Sequence, residues 1–171
     1  IKRYGTMVLG LGLVFYGMNM MGDATQPLRT YQPFINLMAQ MDSRVFAILL
    51  SAGFTALIQS SSATTGVIIV LGSQGLISLE NGIALVLGAN VGTCVTALLA
   101  SIGRNHQGLR TAMVHVLFNV SGVLLWYNFI DELAAFSRSL SPSSPELSGT
   151  ALLAADIPRQ IANAHTLFNV R

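Results

Sequence analysis

The sequence predicts an all-α membrane protein that crosses the bilayer several times. Of its 171 residues, 52% are hydrophobic and only 9% are charged, whereas a soluble domain usually carries about a quarter charged residues. Residues 4–22, 82–103 and 111–130 form three apolar stretches, each close to the ~20 residues that a helix needs to cross ~30 Å of hydrocarbon. Two shorter apolar arms lie between the first and second stretches. We therefore expect a single transmembrane domain over residues 1–171.

The composition also argues against several other classes of protein. The net charge of +2, without any basic run, is too small to indicate nucleic-acid binding. The lone Cys94 excludes a disulfide within the chain and a metal site built from cysteines. The serines at positions 60–62 lack a nucleophile-elbow pattern and an evident base, and no phosphate-binding Walker loop is present. The sequence thus predicts a protein that is not an enzyme and indicates no cofactor.

The first apolar stretch, residues 4–22, is nearly long enough to cross the membrane. Its glycines would give the helix a flat face for close packing against another helix. Residues 23–42 are mixed in polarity, and their apolar side chains recur at helical spacing, which predicts a short amphipathic helix at the membrane interface. The glycines are Gly5, Gly10, Gly12 and Gly17, and the apolar residues of the interfacial helix are Phe34, Leu37, Met38 and Met41.

Residues 44–77 contain two apolar arms that meet at the polar run Gln-Ser-Ser-Ser-Ala-Thr-Thr, residues 59–65. Each arm spans roughly 18–22 Å as a helix, which is too short for a crossing. We therefore predict a re-entrant helical hairpin over residues 44–77, with its polar turn near mid-membrane. Hydroxyls at that depth must be buried in protein or line a wet cavity. If helix resumes at Ala63 or Thr64, its first N–H groups would attract an anion; the alternative is a Ser/Thr cap on an ordinary buried helix.

The second full-length stretch, residues 82–103, carries the run Gly-Ala-Asn-Val-Gly-Thr at positions 88–93. Two glycines around Asn90, followed by Thr93 and Thr96, predict a broken transmembrane helix whose carbonyls and side chains face a cavity, as in many transporters. The alternative is a glycine-rich packing face on a continuous helix.

The remaining chain predicts a polar loop, a third span, a long connection and a last helix. Residues 104–110 form the loop, and the span 111–130 ends in Trp126 and Tyr127, which are typical of the membrane interface. Residues 131–156 predict an extramembrane loop. Asp156 and Pro158 then predict the start of a helix that runs to the chain's end.

Basic residues predict the orientation in the membrane. They cluster on one side of the predicted spans, which by the positive-inside rule is cytoplasmic. The hairpin would then open outward, and the acidic loop after the third span would lie outside. The basic residues are Lys2, Arg3, Arg104 and Arg110.

A nine-residue segment occurs twice. Residues 112–120 read AMVHVLFNV and residues 162–170 read ANAHTLFNV. In each copy a histidine and an asparagine are four residues apart and share one helix face. These polar groups face either a transport pathway or a neighbouring helix to which they hydrogen-bond.

Taken together, these motifs resemble the type II sodium/phosphate cotransporters and their bacterial relatives. The resemblance rests on Gln-Ser-Ser-Ser at 59–62, on Gly-Ala-Asn-Val-Gly-Thr at 88–93 and on His-Val-Leu-Phe-Asn at 115–119. It implies a fold of two inverted repeats, each with its own Gln-Ser-Ser-Ser hairpin, and phosphate and sodium bound between the hairpins. Only one such hairpin is present here, so the chain would supply half of the site. The outward-opening hairpin and the His-containing helices that follow it resemble the family's second repeat.

The resemblance also implies the site residues. No arginine lies in the predicted spans beside the motifs, so Na⁺, the coupling ion, would have to balance the charge of phosphate. The other expected partners are the lipid bilayer and either a first repeat of the same transporter or a second copy of the chain. The expected location is the bacterial inner (plasma) membrane, which the chain would cross several times. The candidate phosphate and sodium residues are Gln59, Ser60, Ser61, Ser62, Thr64, Asn90 and Thr93, of which Gln59, Ser61, Ser62, Asn90 and Thr93 are candidate Na⁺ ligands.

Two alternatives stay open at this point. The chain is either part of a sodium-coupled phosphate transporter or a non-transporting membrane scaffold or regulatory subunit that uses its Gly and Ser residues for helix packing. The missing half is either a first repeat or an inverted second copy. The one-sided distribution of basic residues favours a first repeat upstream in the same natural chain, because a dual-topology protein needs nearly balanced loops.

Overall fold

The computed structural model describes residues 2–142, 144 and 146–170. Over this part of the chain the fold is all-helical, with two short 3₁₀ helices, Gln26–Arg29 and Gln40–Asp42, on either side of the second α-helix. The eight α-helices are α1 (Lys2–Thr25), α2 (Gln32–Ala39), α3 (Arg44–Ile58), α4 (Ser61–Ser73), α5 (Leu79–Ser101), α6 (His106–Tyr127), α7 (Ile130–Leu140) and α8 (Gly149–Asn169).

Three helical segments of the described chain are long and apolar enough to cross a membrane: Arg3–Leu28, Leu79–Ser101 and His106–Tyr127. They coincide with the three predicted spans, so the chain is a polytopic integral membrane protein. Helix α1 packs on α4 and is exposed along almost its whole length. Among the described residues, nothing comes within 4 Å of a Cβ built on Gly5, Gly10, Gly12 or Gly17, so the predicted packing face of α1 has no neighbour there.

Helix α5 is the centre of the bundle. It contacts α3, α4, α6, α7 and α8, and its first three turns are buried, with Ile83 and Leu87 almost wholly enclosed. The apolar side chains of the predicted interfacial helix pack on this core: Met41, just beyond α2, is 2% exposed, and Phe34 and Met38 pack beside it. That α2 lies at the membrane interface stays a prediction.

The predicted break in α5 is wrong, because α5 is continuous from Leu79 to Ser101. Its two central glycines serve the close approach of α3 instead. A Cβ on Gly88 would lie 2.2 Å from the carbonyl oxygen of Ile48, and a Cβ on Gly92 would lie 2.5 Å from that of Ala52. The glycines therefore form a packing face, and the backbones of α3 and α5 meet where any larger residue would separate them.

Helices α3 and α4 form a hairpin closed by a two-residue turn. Inside it, the Thr55 hydroxyl donates to Thr64 Oγ1 at 2.9 Å. Both helices are shorter than a membrane span, as predicted, and whether they re-enter from one side stays a prediction.

We expect cysteines at the two ends of the hairpin to be accessible from the same side of the membrane. Ser43 precedes α3 and Ser78 follows α4; both are exposed, and cysteine is nearly isosteric with serine. A membrane-impermeant maleimide should treat Ser43→Cys and Ser78→Cys alike. If it labels both in right-side-out vesicles it should label neither in inverted vesicles, and if it labels neither in the first it should label both in the second. The native Cys94 is buried and serves as the unlabelled background. Labelling of the two positions from opposite sides would contradict the re-entrant hairpin.

Residues 131–156, predicted as a loop, are largely helical. Helix α7 buries Ile130 and Leu133 on the core, and its polar face forms two ion pairs of 2.5 Å, Asp131 with Arg44 of α3 and Arg138 with Glu80 of α5. The hydrogen bond from Arg44 lowers the pKa of the Asp131 carboxyl. The extramembrane location of residues 131–156 stays a prediction.

The last helix begins earlier than predicted. It starts after Ser148 rather than near Asp156, and Pro158 lies inside it. Proline removes one backbone hydrogen bond and usually costs about 3 kcal/mol in a helix. The flanking Ile157 and Ile161 are buried, and they lie directly over Gly72 and Gly82 of α4 and α5. This apolar contact offsets the proline and keeps α8 helical across it.

Candidate functional site

The hairpin turn is built from Gln59 and Ser60. Gln59 adopts a left-handed conformation (φ 58°, ψ 29°) that ends α3, and its N–H donates to the Thr55 carbonyl at 2.7 Å. Ser60 is extended and caps α4, since its hydroxyl accepts from the Ala63 N–H at 3.2 Å. A left-handed non-glycine residue costs roughly 1 kcal/mol, and here it lets the chain reverse within two residues.

The start of α4 faces outward at this turn. Ser61 and Ser62 occupy its first turn, where the helix dipole places partial positive charge and the backbone N–H groups lack partners within the helix. Ser61 is half-buried, whereas Ser62 and Gln59 are exposed. An anion at the exposed end of α4 would meet both hydroxyls and N–H donors.

A cavity of about 340 Å³ lies beside the turn, between α4, α5, α6 and α8. The structure therefore brings together Ser61, Asn90 and Thr93, three of the seven predicted site residues, from two separate motifs. The remaining lining residues are His115, Phe118, Asn119 and Asn169.

Hydrogen bonding fixes which atoms Asn90 and Thr93 can offer. Asn90 Nδ2 donates to the Val86 carbonyl at 2.9 Å, and Thr93 Oγ1 donates to the Ala89 carbonyl at 2.9 Å. A backbone carbonyl only accepts, so the orientation of the amide follows from its partner. The amide carbonyl oxygen of Asn90 and the lone pairs of the Thr93 hydroxyl are left as acceptors.

Four predicted site residues do not line this cavity. Gln59, Ser60 and Ser62 lie at the turn, next to Ser61. Thr64 is buried within the hairpin, where its hydroxyl donates to the Ser60 carbonyl at 3.1 Å and accepts from Thr55. Thr64 thus holds the turn together, and any contribution to a binding site would come through the geometry of Ser60.

The duplicated segment supplies residues that the sequence prediction left out of the site. Asn119 and Asn169 donate to the carbonyls of His115 and His165, four residues earlier in their own helices, at 2.9 and 2.8 Å. One of the two N–H groups of each amide is therefore used within its own helix. The repeat itself was the signal that could have identified them, and the convergence of both copies favours the pathway interpretation over helix-to-helix bonding.

The two copies differ in the rest of the segment. Phe118 is 56% exposed and lines the cavity, whereas Phe168 is 1% exposed and belongs to the core. His115 lines the cavity, and its Nδ1 is buried without a hydrogen-bond partner among the described residues. The α6 copy thus contributes a wall of the cavity, while the α8 copy contributes Asn169 and otherwise packs the bundle.

The donor set does not suit a transition metal. Within the described chain, no group of three or more His, Cys, Asp or Glu side chains is placed to hold a metal ion. The polar lining consists of neutral oxygens, amide N–H groups and one imidazole, and neutral oxygens are ligands for hard cations.

Comparison with known proteins identifies the family. Residues 28–140, from just before α2 to the end of α7, match the family described as Na⁺/Pi-cotransporter. The chain belongs to the Na⁺/Pi-cotransporter family. Members of this family are transporters rather than enzymes, and Na⁺ is their coupling ion. The matched residues include the hairpin and all of the cavity's lining except Asn169.

Relatives of this Na⁺/Pi-cotransporter chain come from bacteria and mammals. It is 33% identical to the uncharacterized protein YqeW of Bacillus subtilis over 171 residues, which is 99% of this chain and 52% of YqeW. It is 45% identical over 89 residues to the rat sodium-dependent phosphate transport protein 2C, covering 50% of this chain and 15% of that protein. The human protein 2B is 44% identical over 85 residues, covering 47% and 12%. The chain thus spans about half of YqeW and less of the mammalian proteins, and no solved structure matches it.

Proposed function

We propose that this chain forms one side of the binding site of a sodium-coupled transporter for inorganic phosphate. The observation that supports this most directly is the convergence of Ser61, Asn90 and Thr93 on one cavity next to the start of α4. Two motifs some 25 residues apart in the sequence contribute to it. The named mammalian relatives are sodium-dependent phosphate transport proteins. Because another relative comes from a bacterium, we place the protein in the bacterial inner (plasma) membrane.

The charge balance of the site supports coupling to sodium. No lysine or arginine is among the residues that line the cavity, so a phosphate bound nearby would lack a fixed counter-charge. Burying an unpaired anion is very costly. A co-bound Na⁺ on neutral oxygens would lower that cost, and phosphate would in turn raise the affinity for Na⁺, because coupling between two ligands is reciprocal.

The exposed side of the turn supports a partner in the assembled protein. Gln59 and Ser62 are exposed, and Leu57 just before them is 85% exposed. Polar groups left against lipid cost several kcal/mol each. We place the other Gln-Ser-Ser-Ser hairpin, which belongs to the first repeat, against this surface. Gln59 and Ser60–Ser62 would then form one of the two walls of a phosphate and sodium site.

Sodium-driven uptake of phosphate is the experiment that tests this function. The full-length protein that carries this chain should be reconstituted into liposomes and given an inward Na⁺ gradient with [³²P]phosphate outside. We expect accumulation that disappears when K⁺ replaces Na⁺ and that unlabelled phosphate, but not sulfate, competes away. Uptake that is the same in K⁺ would contradict sodium coupling, and no uptake in either salt from correctly folded protein would favour the scaffold alternative.

A further inference from the structure

Three asparagines converge on the cavity beside the turn, and all three use their donors in the same way. Asn90, Asn119 and Asn169 each donate Nδ2 to the carbonyl four residues earlier, at 2.8–2.9 Å. They come from α5, α6 and α8, and all three line the same cavity. Each amide is therefore oriented by its own helix, with one of its two N–H groups occupied and its carbonyl oxygen Oδ1 left to accept.

The Thr93 hydroxyl follows the same pattern. Its proton is directed to the Ala89 carbonyl, so its free lone pairs also accept. Oxygens with their partial negative charge uncompensated repel an anion and attract a cation. Phosphate, which needs donors, is therefore better served by the N–H groups and hydroxyls at the exposed start of α4.

We infer that this cavity is the cation pocket of the transporter, and that the Oδ1 atoms of Asn119 and Asn169, from the two copies of the duplicated segment, are Na⁺ ligands beside Asn90 and Thr93. The inference rests on the proposed function and adds two ligands that neither the Gln-Ser-Ser-Ser motif nor the Gly-Ala-Asn-Val-Gly-Thr motif contains. None of the lining residues is a carboxylate, which suits a monovalent cation, since protein sites for divalent cations usually include carboxylates.

The duplication has a physical use in this arrangement. Residues four apart share a helix face, so an asparagine bonded to the carbonyl of residue i−4 is oriented by its own helix without help from a neighbour. Two copies of the segment can thus present the same oriented oxygen from two helices whose remaining contacts differ, as Phe118 and Phe168 show.

Equilibrium binding of ²²Na⁺ to the purified full-length protein, in phosphate-free buffer with K⁺ holding the ionic strength constant, tests the pocket. Leucine has nearly the shape of asparagine but no oxygen. We expect Asn119→Leu and Asn169→Leu each to raise the Kd for Na⁺ about tenfold, which corresponds to the loss of one good polar contact. The matched control is Asn163→Leu, because Asn163 is also on α8 but donates to Ser141 Oγ, away from the cavity.

Aspartate variants keep the test decisive if a leucine variant fails to fold. Asn119→Asp and Asn169→Asp lose the donor but keep an oxygen facing the cavity, so we expect them to bind Na⁺ at least as tightly as the unmodified protein. Unchanged Na⁺ affinity in the leucine variants, or loss of binding in folded aspartate variants, would overturn the inference. Phosphate uptake separates the two proposals: a protein whose Na⁺ binding follows this pattern but which never moves phosphate would refute the proposed function and leave the cation pocket standing.

Discussion

Replacing Gly88 with alanine is expected to separate α3 from α5 and to abolish transport. A Cβ at this position would lie 2.2 Å from the Ile48 carbonyl oxygen and within 3.0 Å of two further backbone atoms of Ile48. Backbone cannot rotate away as a side chain can, so the whole hairpin must shift. Overpacking of a tight contact costs about 1–3 kcal/mol and occasionally more, and this site belongs at the upper end. Thermal unfolding in detergent and sodium-driven phosphate uptake measure the two effects.

Gly53→Ala is the matched control for this substitution. Gly53 lies on α3, and no atom of the described residues lies within 4 Å of a Cβ built there. Alanine favours helix over glycine by about 1 kcal/mol, so this variant should be as stable as the unmodified protein or slightly more so, with uptake retained. Equal stability of the Gly88→Ala and Gly53→Ala proteins would show that α3 and α5 are farther apart than the structure places them.

The second large effect is expected at Ser61. Ser61→Ala removes the one hydroxyl of the turn that lines the cavity, while the helix-forming tendency of the segment is retained or improved. A polar partner left unpaired costs about 1–3 kcal/mol, so the concentration of Na⁺ or phosphate for half-maximal uptake should rise several-fold to about a hundredfold. Membrane insertion should be unchanged.

Ser73→Ala provides the comparison for Ser61. Ser73 is at the other end of α4, and its hydroxyl donates to the Val70 carbonyl of its own helix. We expect normal Na⁺ and phosphate dependence from this variant. If Ser61→Ala behaved like Ser73→Ala in both dependences, the serines of the turn would be packing and capping residues only.

Much of the fold could be predicted from the sequence because membrane spans depend on local properties. The length of an apolar run decides whether a helix can cross the membrane. The polar run at 59–65 marks the hairpin turn, because such residues occur at membrane depth only where they are buried in protein or line a water-filled cavity. Both signals lie within a single segment. They predicted three spans and two short helices where the structure has them.

The errors arose where the deciding contact lies elsewhere in the chain. A glycine pair around Asn90 is compatible with a broken helix and with close packing, and the choice depends on the Ile48 backbone some 40 residues earlier. Pro158 predicts a helix start, yet buried isoleucines on either side keep the helix intact. Likewise, the repeat containing Asn119 and Asn169 was visible in the sequence, but only the packing of α6 and α8 brings both amides to one cavity.

The two ion pairs of α7 have a mechanical consequence. Asp131 pairs with Arg44 at the first turn of α3, and Arg138 pairs with Glu80 at the first turn of α5. Helix α7 therefore links the two helices that meet at Gly88. If the hairpin rocks, it would pivot at this held end, and the tip at Gln59 would move farthest. Both pairs are partly exposed and hence screened by salt. We therefore expect the two ion pairs to hold the start of α3 to α5 less firmly as the ionic strength of the solution around α7 rises.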